Sequence, residues 1–192
     1  VLFRSVILGA LSLDLIAVLF GGATAMLPVF AKEVLMVGEK GFGFLRAAPF
    51  AGAVVMALIL TRYPPVINAG KKLLWCVACF SLCMIAFALS ENFYLSLFIL
   101  ALSGAFDNVS VVIRATILQL KTPENMRGRV SSVSTMFISS SNEIGAFESG
   151  AAAKMMGLIP SVIFGGGVAL LSVIGTAFGI PSLRKLNLKH DE

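Results

Sequence analysis

Apolar residues fall in six long stretches along this chain, at about 6–31, 42–62, 73–90, 93–119, 129–157 and 159–181. A helix crossing the hydrocarbon core of a bilayer needs about 20 mostly apolar residues, so each stretch predicts one transmembrane helix. The separators are Glu39-Lys40-Gly41, the stretch from Tyr63-Pro64-Pro65 to Lys72, Glu91-Asn92, the segment Lys121 to Arg129, and the turn from Gly157 to Pro160. Glycine, proline and clustered charge stop one helix and let the next begin. No separator is long enough for a second domain. The pattern therefore predicts one all-α integral membrane unit over residues 1–192.

Composition agrees with the pattern. Of the residues 58% are hydrophobic and 13% charged, whereas a soluble domain needs about 25% charged residues to cover its surface. That excludes an ordinary soluble domain, intrinsic disorder and a disulfide scaffold. The net charge of +5 could suggest a nucleic-acid partner, but Lys and Arg near span ends are retained on the cytosolic side of a membrane. With the N-terminus inside, the inner cations are Arg4, Arg62, Lys71, Lys72, Lys121, Arg127, Arg129, Arg184, Lys185 and Lys189. The outer ones are only Lys32, Lys40 and Lys154. This split places both chain ends in the cytosol and explains the basic balance without nucleic acid. Apolar character begins within a few residues of Val1 and there is no initiator Met, so the chain is expected to be a piece of a longer protein without a cleavable signal peptide.

Ionisable residues inside the spans point to function, because a charge near the bilayer centre costs at least a few kcal/mol unless it faces a partner or a water-filled cavity. Asp14 falls in the first span, Arg46 in the second, Asp107 and Arg114 in the fourth, and Glu143 and Glu148 in the fifth; the third and sixth have none. Two cavity-facing helices followed by one lipid-facing helix, twice over, is the layout of two inverted three-helix repeats. Asp14 and Arg114 fall toward the cytosolic ends of their spans, and Arg46 and Glu148 toward the outer ends, so two opposite-sign pairs can form. Asp107 and Glu143 lie deeper without a cation at their level, which makes them candidates for proton exchange. Asp107, Ser110 and Arg114 share one helix face. The alternative for all of these charges is a set of ion pairs that lock helix packing.

The fifth span is unusually polar, with a run from Ser139 to Asn142 ahead of Glu143, and its polar face must border protein or water. Thr122 is expected to cap its start, with Pro123 and Glu124 in the first turn. Gly21-Gly22, Gly52, Gly104, Gly145, Gly165 to Gly167, Gly175 and Gly179 are expected to permit close helix approach. Cys76, Cys79 and Cys83 share a helix face but have no His, Asp or Glu nearby, and are read as small reduced hydrophobes rather than a metal site. The lone histidine, His190, lies in the terminal tail, and no H-E-x-x-H or phosphate loop is present. An enzyme is not expected.

The segment Pro123-Glu124-Asn125-Met126-Arg127-Gly128-Arg129 resembles the P-x-x-x-R-G-R loop ahead of the eleventh helix in major facilitator superfamily transporters. Asp107, Ser110, Arg114 and Gln119 before it, with Phe137, Ser141, Asn142, Gly145, Phe147, Glu148, Ser149 and Gly150 after it, extend the resemblance to the secretion-effector branch that includes enterobactin exporters. Arg62 and Gly70-Lys71-Lys72 are similar to part of the superfamily's other signature loop, though Thr61 stands where that loop has an acidic residue. The resemblance implies helices seven to twelve of a twelve-helix transporter in a bacterial inner membrane. It also implies a missing N-terminal six-helix half, a small amphipathic substrate such as a siderophore or drug, and export driven by a proton gradient with no cofactor. Asn142 joins the cavity candidates. Arg62, Lys71, Lys72, Arg127 and Arg129 become candidates for a cytosolic gate or loop. The other function open at this point is a six-span permease or scaffold module working with a partner subunit.

Overall fold

A computed structural model describes residue 13, residues 24–65 and residues 68–179. Among these the chain is entirely helical, without strands. A short turn α1 (Leu27–Val29) passes into a π-helical segment, Phe30–Val34. Five long helices follow: α2 (Glu39–Arg62), α3 (Ala69–Ala88), α4 (Phe93–Lys121), α5 (Arg127–Met156) and α6 (Leu158–Gly179). By length and composition α2, α3, α4 and α6 can each cross a membrane. At 30 residues α5 has the length, but its serines, Asn142 and carboxylates keep it outside the apolar range the other four reach. Most of the first expected span, including Asp14, lies outside the described residues.

Local chemistry sets the helix ends. Asn92 caps α4 by accepting from the amides of Tyr94 at 3.0 Å and Leu95 at 3.3 Å, which stabilises a helix start by about 1 kcal/mol. At the other end of α4 the structure corrects an expectation. Thr122 does not cap the following helix; its hydroxyl donates back to the Leu118 carbonyl at 2.6 Å and it closes α4. A single 3₁₀ turn, Glu124–Met126, then intervenes before α5. The reason is Pro123, which holds φ at −55° and extended ψ, so the last turn of α4 cannot continue through it. Gly157 joins α5 to α6 at φ +91°, a conformation that glycine adopts without side-chain strain.

Direction follows from the core, which is divided into two apolar clusters. One gathers Met56 and Leu60 late in α2, Leu73 and Val77 early in α3, Ile113 and Ile117 late in α4, Val173 late in α6, and Leu13. The other gathers Leu45 and Ala48 early in α2, Met84 and Phe87 late in α3, Leu97 and Leu100 early in α4, Val162 early in α6, and Leu27 and Phe30. Hence α2, α4 and α6 run one way and α3 runs back between them. Arg62, Lys71, Lys72, Arg127 and Arg129 all belong to the end of the first cluster, which is the basic end of the bundle.

Between the clusters the helices are built from small residues. A side chain at Gly52 would overlap the backbone of Ala101, and one at Gly104 the backbone of Pro49, so α2 and α4 cross in direct backbone contact. On the other side of the bundle a Cβ at Gly166 of α6 would come within 3.2 Å of the Ser81 carbonyl of α3. Close approach of this kind replaces the hydrophobic effect as the source of helix association in lipid, through dispersion contacts. The result orders the helices as α2 on α4, α4 on α3, α3 on α6 and α6 on α5. The charge-free α3 is accordingly one of the most enclosed of the described helices.

Candidate functional site

On α4 the two apolar clusters stop short of one another. Leu100 and Ala101 belong to one and Val109 to the other; the residues between and beside them include Ser103, Gly104, Asp107, Asn108 and Ser110. Ser103 satisfies its hydroxyl by donating to the Leu100 carbonyl at 2.7 Å. Ser81, across on α3, does the same to Val77 at 2.9 Å. Asn108 Oδ1 and Ser110 Oγ differ: both are buried and neither has a hydrogen-bond partner among the described residues. An unsatisfied buried polar atom costs about 1–3 kcal/mol in water-soluble proteins, so two within a single turn of one span single out this level of the bundle.

Asp107 lies beside them with its side chain open rather than covered by another helix. Four-residue spacing continues that opening through Val111, Ala115 and Gln119, all exposed, so one uncovered stripe descends α4 from mid-bundle to the basic end. There Gln119 lines a cavity of about 300 Å³ together with Leu118, Thr122, Arg127, Gly128 and Ser131. Arg127 is fixed in this junction by donating to the Thr122 carbonyl at 3.3 Å and to Glu124 Oε1 at 3.4 Å. With half of its side chain exposed, that ion pair contributes at most about 1 kcal/mol; its effect is to hold the first turn of α5 against the last turn of α4.

The other sequence candidates are distributed differently. Ser110 is buried and Arg114 half-buried on α4; Asp107, Ser110 and Arg114 share one helix face, with Asn108 on the other flank of Asp107. Asn142 and Glu143 are exposed on α5 and Glu148 is half-buried. Ser131, Thr135, Ser139 and Asn142 recur every three or four residues and make a polar stripe along α5. Glu143 lies at its border, sharing a side with Met136 and Phe147. Only Ser141 and Gly145 are buried on α5. Three of its hydroxyls serve their own helix, Ser132 donating to Gly128, Thr135 to Ser131 and Ser141 to Phe137.

Arg46 is exposed on α2 and forms no ion pair with Glu148 among the described residues. Asp14 is outside the described residues. Arg62, Lys71, Lys72 and Arg129 are exposed at the basic end. Sequence reasoning missed Asn108, whose signal was an uncharged amide next to a carboxylate in an apolar span. It also missed Pro49, whose backbone meets Gly104.

A family model described as transmembrane secretion effector matches residues 1–191. The chain belongs to that family. Secretion effectors of this kind are membrane transporters of the major facilitator type, which agrees with the apolar helices α2, α3, α4 and α6 and points away from an enzyme. No curated protein and no solved structure matches the chain.

Proposed function

We propose that this secretion effector moves small amphipathic molecules out of a bacterial cell by proton-coupled alternating access, and that the polar break on α4 forms part of its central site. One observation carries the reading. Asn108 Oδ1 and Ser110 Oγ retain hydrogen-bonding capacity beside the open carboxylate of Asp107, at the level where both apolar clusters end. In lipid such groups need a mobile partner, either water, a proton or substrate. The open stripe from Asp107 to Gln119 and the cavity below it supply an aqueous route from the basic end, which the excess of Lys and Arg assigns to the cytosol.

In this mechanism Asp107 exchanges the coupling proton, while Asn108 and Ser110 hold polar atoms of the substrate. Asn142 and Glu143 border the same hollow from α5 when that helix swings against α4. Arg127 and Arg129, with Arg62 at the end of α2 and Lys71 and Lys72 at the start of α3, close the cytosolic mouth. A second six-helix half provides the opposite wall, and the two halves rock about the site. The test is efflux from proteoliposomes holding the full-length protein. An imposed pH gradient should drive saturable substrate movement in the wild type. Substitution Asp107→Asn should leave substrate exchange without a gradient but abolish the gradient's effect; gradient-driven efflux unchanged by that substitution removes Asp107 from the mechanism.

A further inference from the structure

At the basic end, the close of α2 and the start of α3 enclose a groove of about 420 Å³ that reaches α4 only at Val109. Its lining combines two chemistries. Leu60 and Val109 are apolar, Tyr63 and Trp75 are aromatic, and Lys71 and Lys72 are cationic; no carboxylate is among the described lining residues. Tyr63 is 73% exposed and Trp75 71% exposed, so the aromatics form the rim and are not core. Neither lysine is in an ion pair among the described residues.

The surface continues from the groove in one direction. Trp75 and Leu82 on α3 and Leu89 at its C-terminal cap follow each other at seven-residue spacing and all are exposed, so they share one face. An uncovered apolar stripe therefore leaves the two lysines and rises along the length of the span. On the facing helix Val55, Leu58 and Ile59 are exposed as well. A groove with positive charge and interfacial aromatics at its head and an apolar track behind it matches a molecule that is anionic at one end and hydrocarbon at the other. Free phosphate would use the lysines but not the track. The volume accommodates a headgroup but not acyl chains, which the stripe accommodates instead.

We propose that this groove binds an anionic phospholipid, with its phosphate against Lys71 and Lys72, its glycerol region between Tyr63 and Trp75, and an acyl chain running toward Leu82, about 15 Å along the helix from Lys72 and so within one leaflet. The inference requires only that α2 and α3 span a bilayer, though it uses two lysines, Lys71 and Lys72, that the transport reading places at the cytosolic mouth. Bound there, the lipid ties the end of α2 to the start of α3, two helices that otherwise meet mainly through α4.

Trp75 is the single tryptophan of this sequence and reports on the site directly. Full-length protein carrying Trp75 as its only tryptophan is reconstituted with brominated phosphatidylglycerol or brominated phosphatidylcholine, and fluorescence quenching is followed against lipid mole fraction. The anionic lipid should quench at mole fractions at least about fivefold lower, and each of Lys71→Gln and Lys72→Gln should remove about fivefold of that preference. Quenching by phosphatidylcholine should be unchanged in both variants, which shows that the helices remain inserted. Arg129→Gln, a cation of the same end outside the groove, should leave the preference intact. Equal quenching by the two lipids, or a preference that survives the double substitution, overturns the proposal. So does loss of the preference on adding inorganic phosphate at matched ionic strength, which would make the groove a phosphate site.

Discussion

Helices α4 and α5 carry similar cargo and treat it differently. Helix α4 has one intramembrane carboxylate and several hydroxyls, and α5 has more of both. On α4 Ser103 and Ser110 are buried beside the open Asp107, at the seam between two apolar clusters, and two polar atoms there have no partner among the described residues. On α5 the polar residues are spread over a largely exposed helix, and the hydroxyls of Ser132, Thr135 and Ser141 are spent on carbonyls of the same helix. Polarity by itself therefore does not mark a site. Polar capacity that packing has enclosed and not satisfied does.

The contrast can be broken most forcefully through the crossing that creates the seam. Gly104→Leu drives a side chain into the backbone of Pro49, so α2 and α4 must part; overpacking costs about 1–3 kcal/mol in soluble cores and the loss here should be at the upper end. Thermal unfolding in detergent should show a large drop. Gly167→Leu, where a Cβ meets nothing within 4 Å, should unfold near the wild-type temperature. Equal effects would mean that the contact does not organise the bundle.

Next in size is the difference between the two carboxylates. In gradient-driven efflux Asp107→Asn should lose at least about tenfold, equivalent to about 1.4 kcal/mol, whereas Glu143→Gln should lose less because Glu143 lies at an exposed border. A reversed order would move the coupling site to α5. Smaller still are the effects of Asn108→Leu and Ser110→Ala on stability. Removing a buried group that has no partner should be neutral or stabilising by up to about 1 kcal/mol, while substrate affinity falls. If both variants instead unfold more easily and transport normally, the two residues are packing elements. The smallest expected change is Asn92→Ala, which removes the α4 cap for about 1 kcal/mol and should leave transport rates untouched.

Much of this architecture was legible in the chain. Apolar stretches bounded by Tyr63-Pro64-Pro65, Glu91-Asn92 and Gly157 give α2, α3, α4 and α6 because span length and turn chemistry are local properties. Gly52 and Gly104 could be read as points of close approach, yet nothing in the sequence says that they meet Ala101 and Pro49. Helix adjacency is likewise invisible: the pairing of Arg46 with Glu148 required the two side chains to meet, and among the described residues they form no ion pair. Charge drew attention to Asp107 and Glu143 alike, whereas the feature that separates them is the unsatisfied state of Asn108 and Ser110, which only packing reveals. The role of Thr122 was misread because a hydroxyl at a helix junction can serve either helix, and Pro123 decides between them.

The account depends most on Asp107 facing water and not acyl chains. A spin label placed by Asp107→Cys, in full-length protein whose Cys76, Cys79 and Cys83 are replaced by alanine, reports this through collision with a water-soluble nickel chelate and with oxygen dissolved in the bilayer. High nickel accessibility with low oxygen accessibility, matched by a label at Gln119 and opposed by one at Leu82, is the expected result. Oxygen accessibility at position 107 equal to that at position 82 would contradict it.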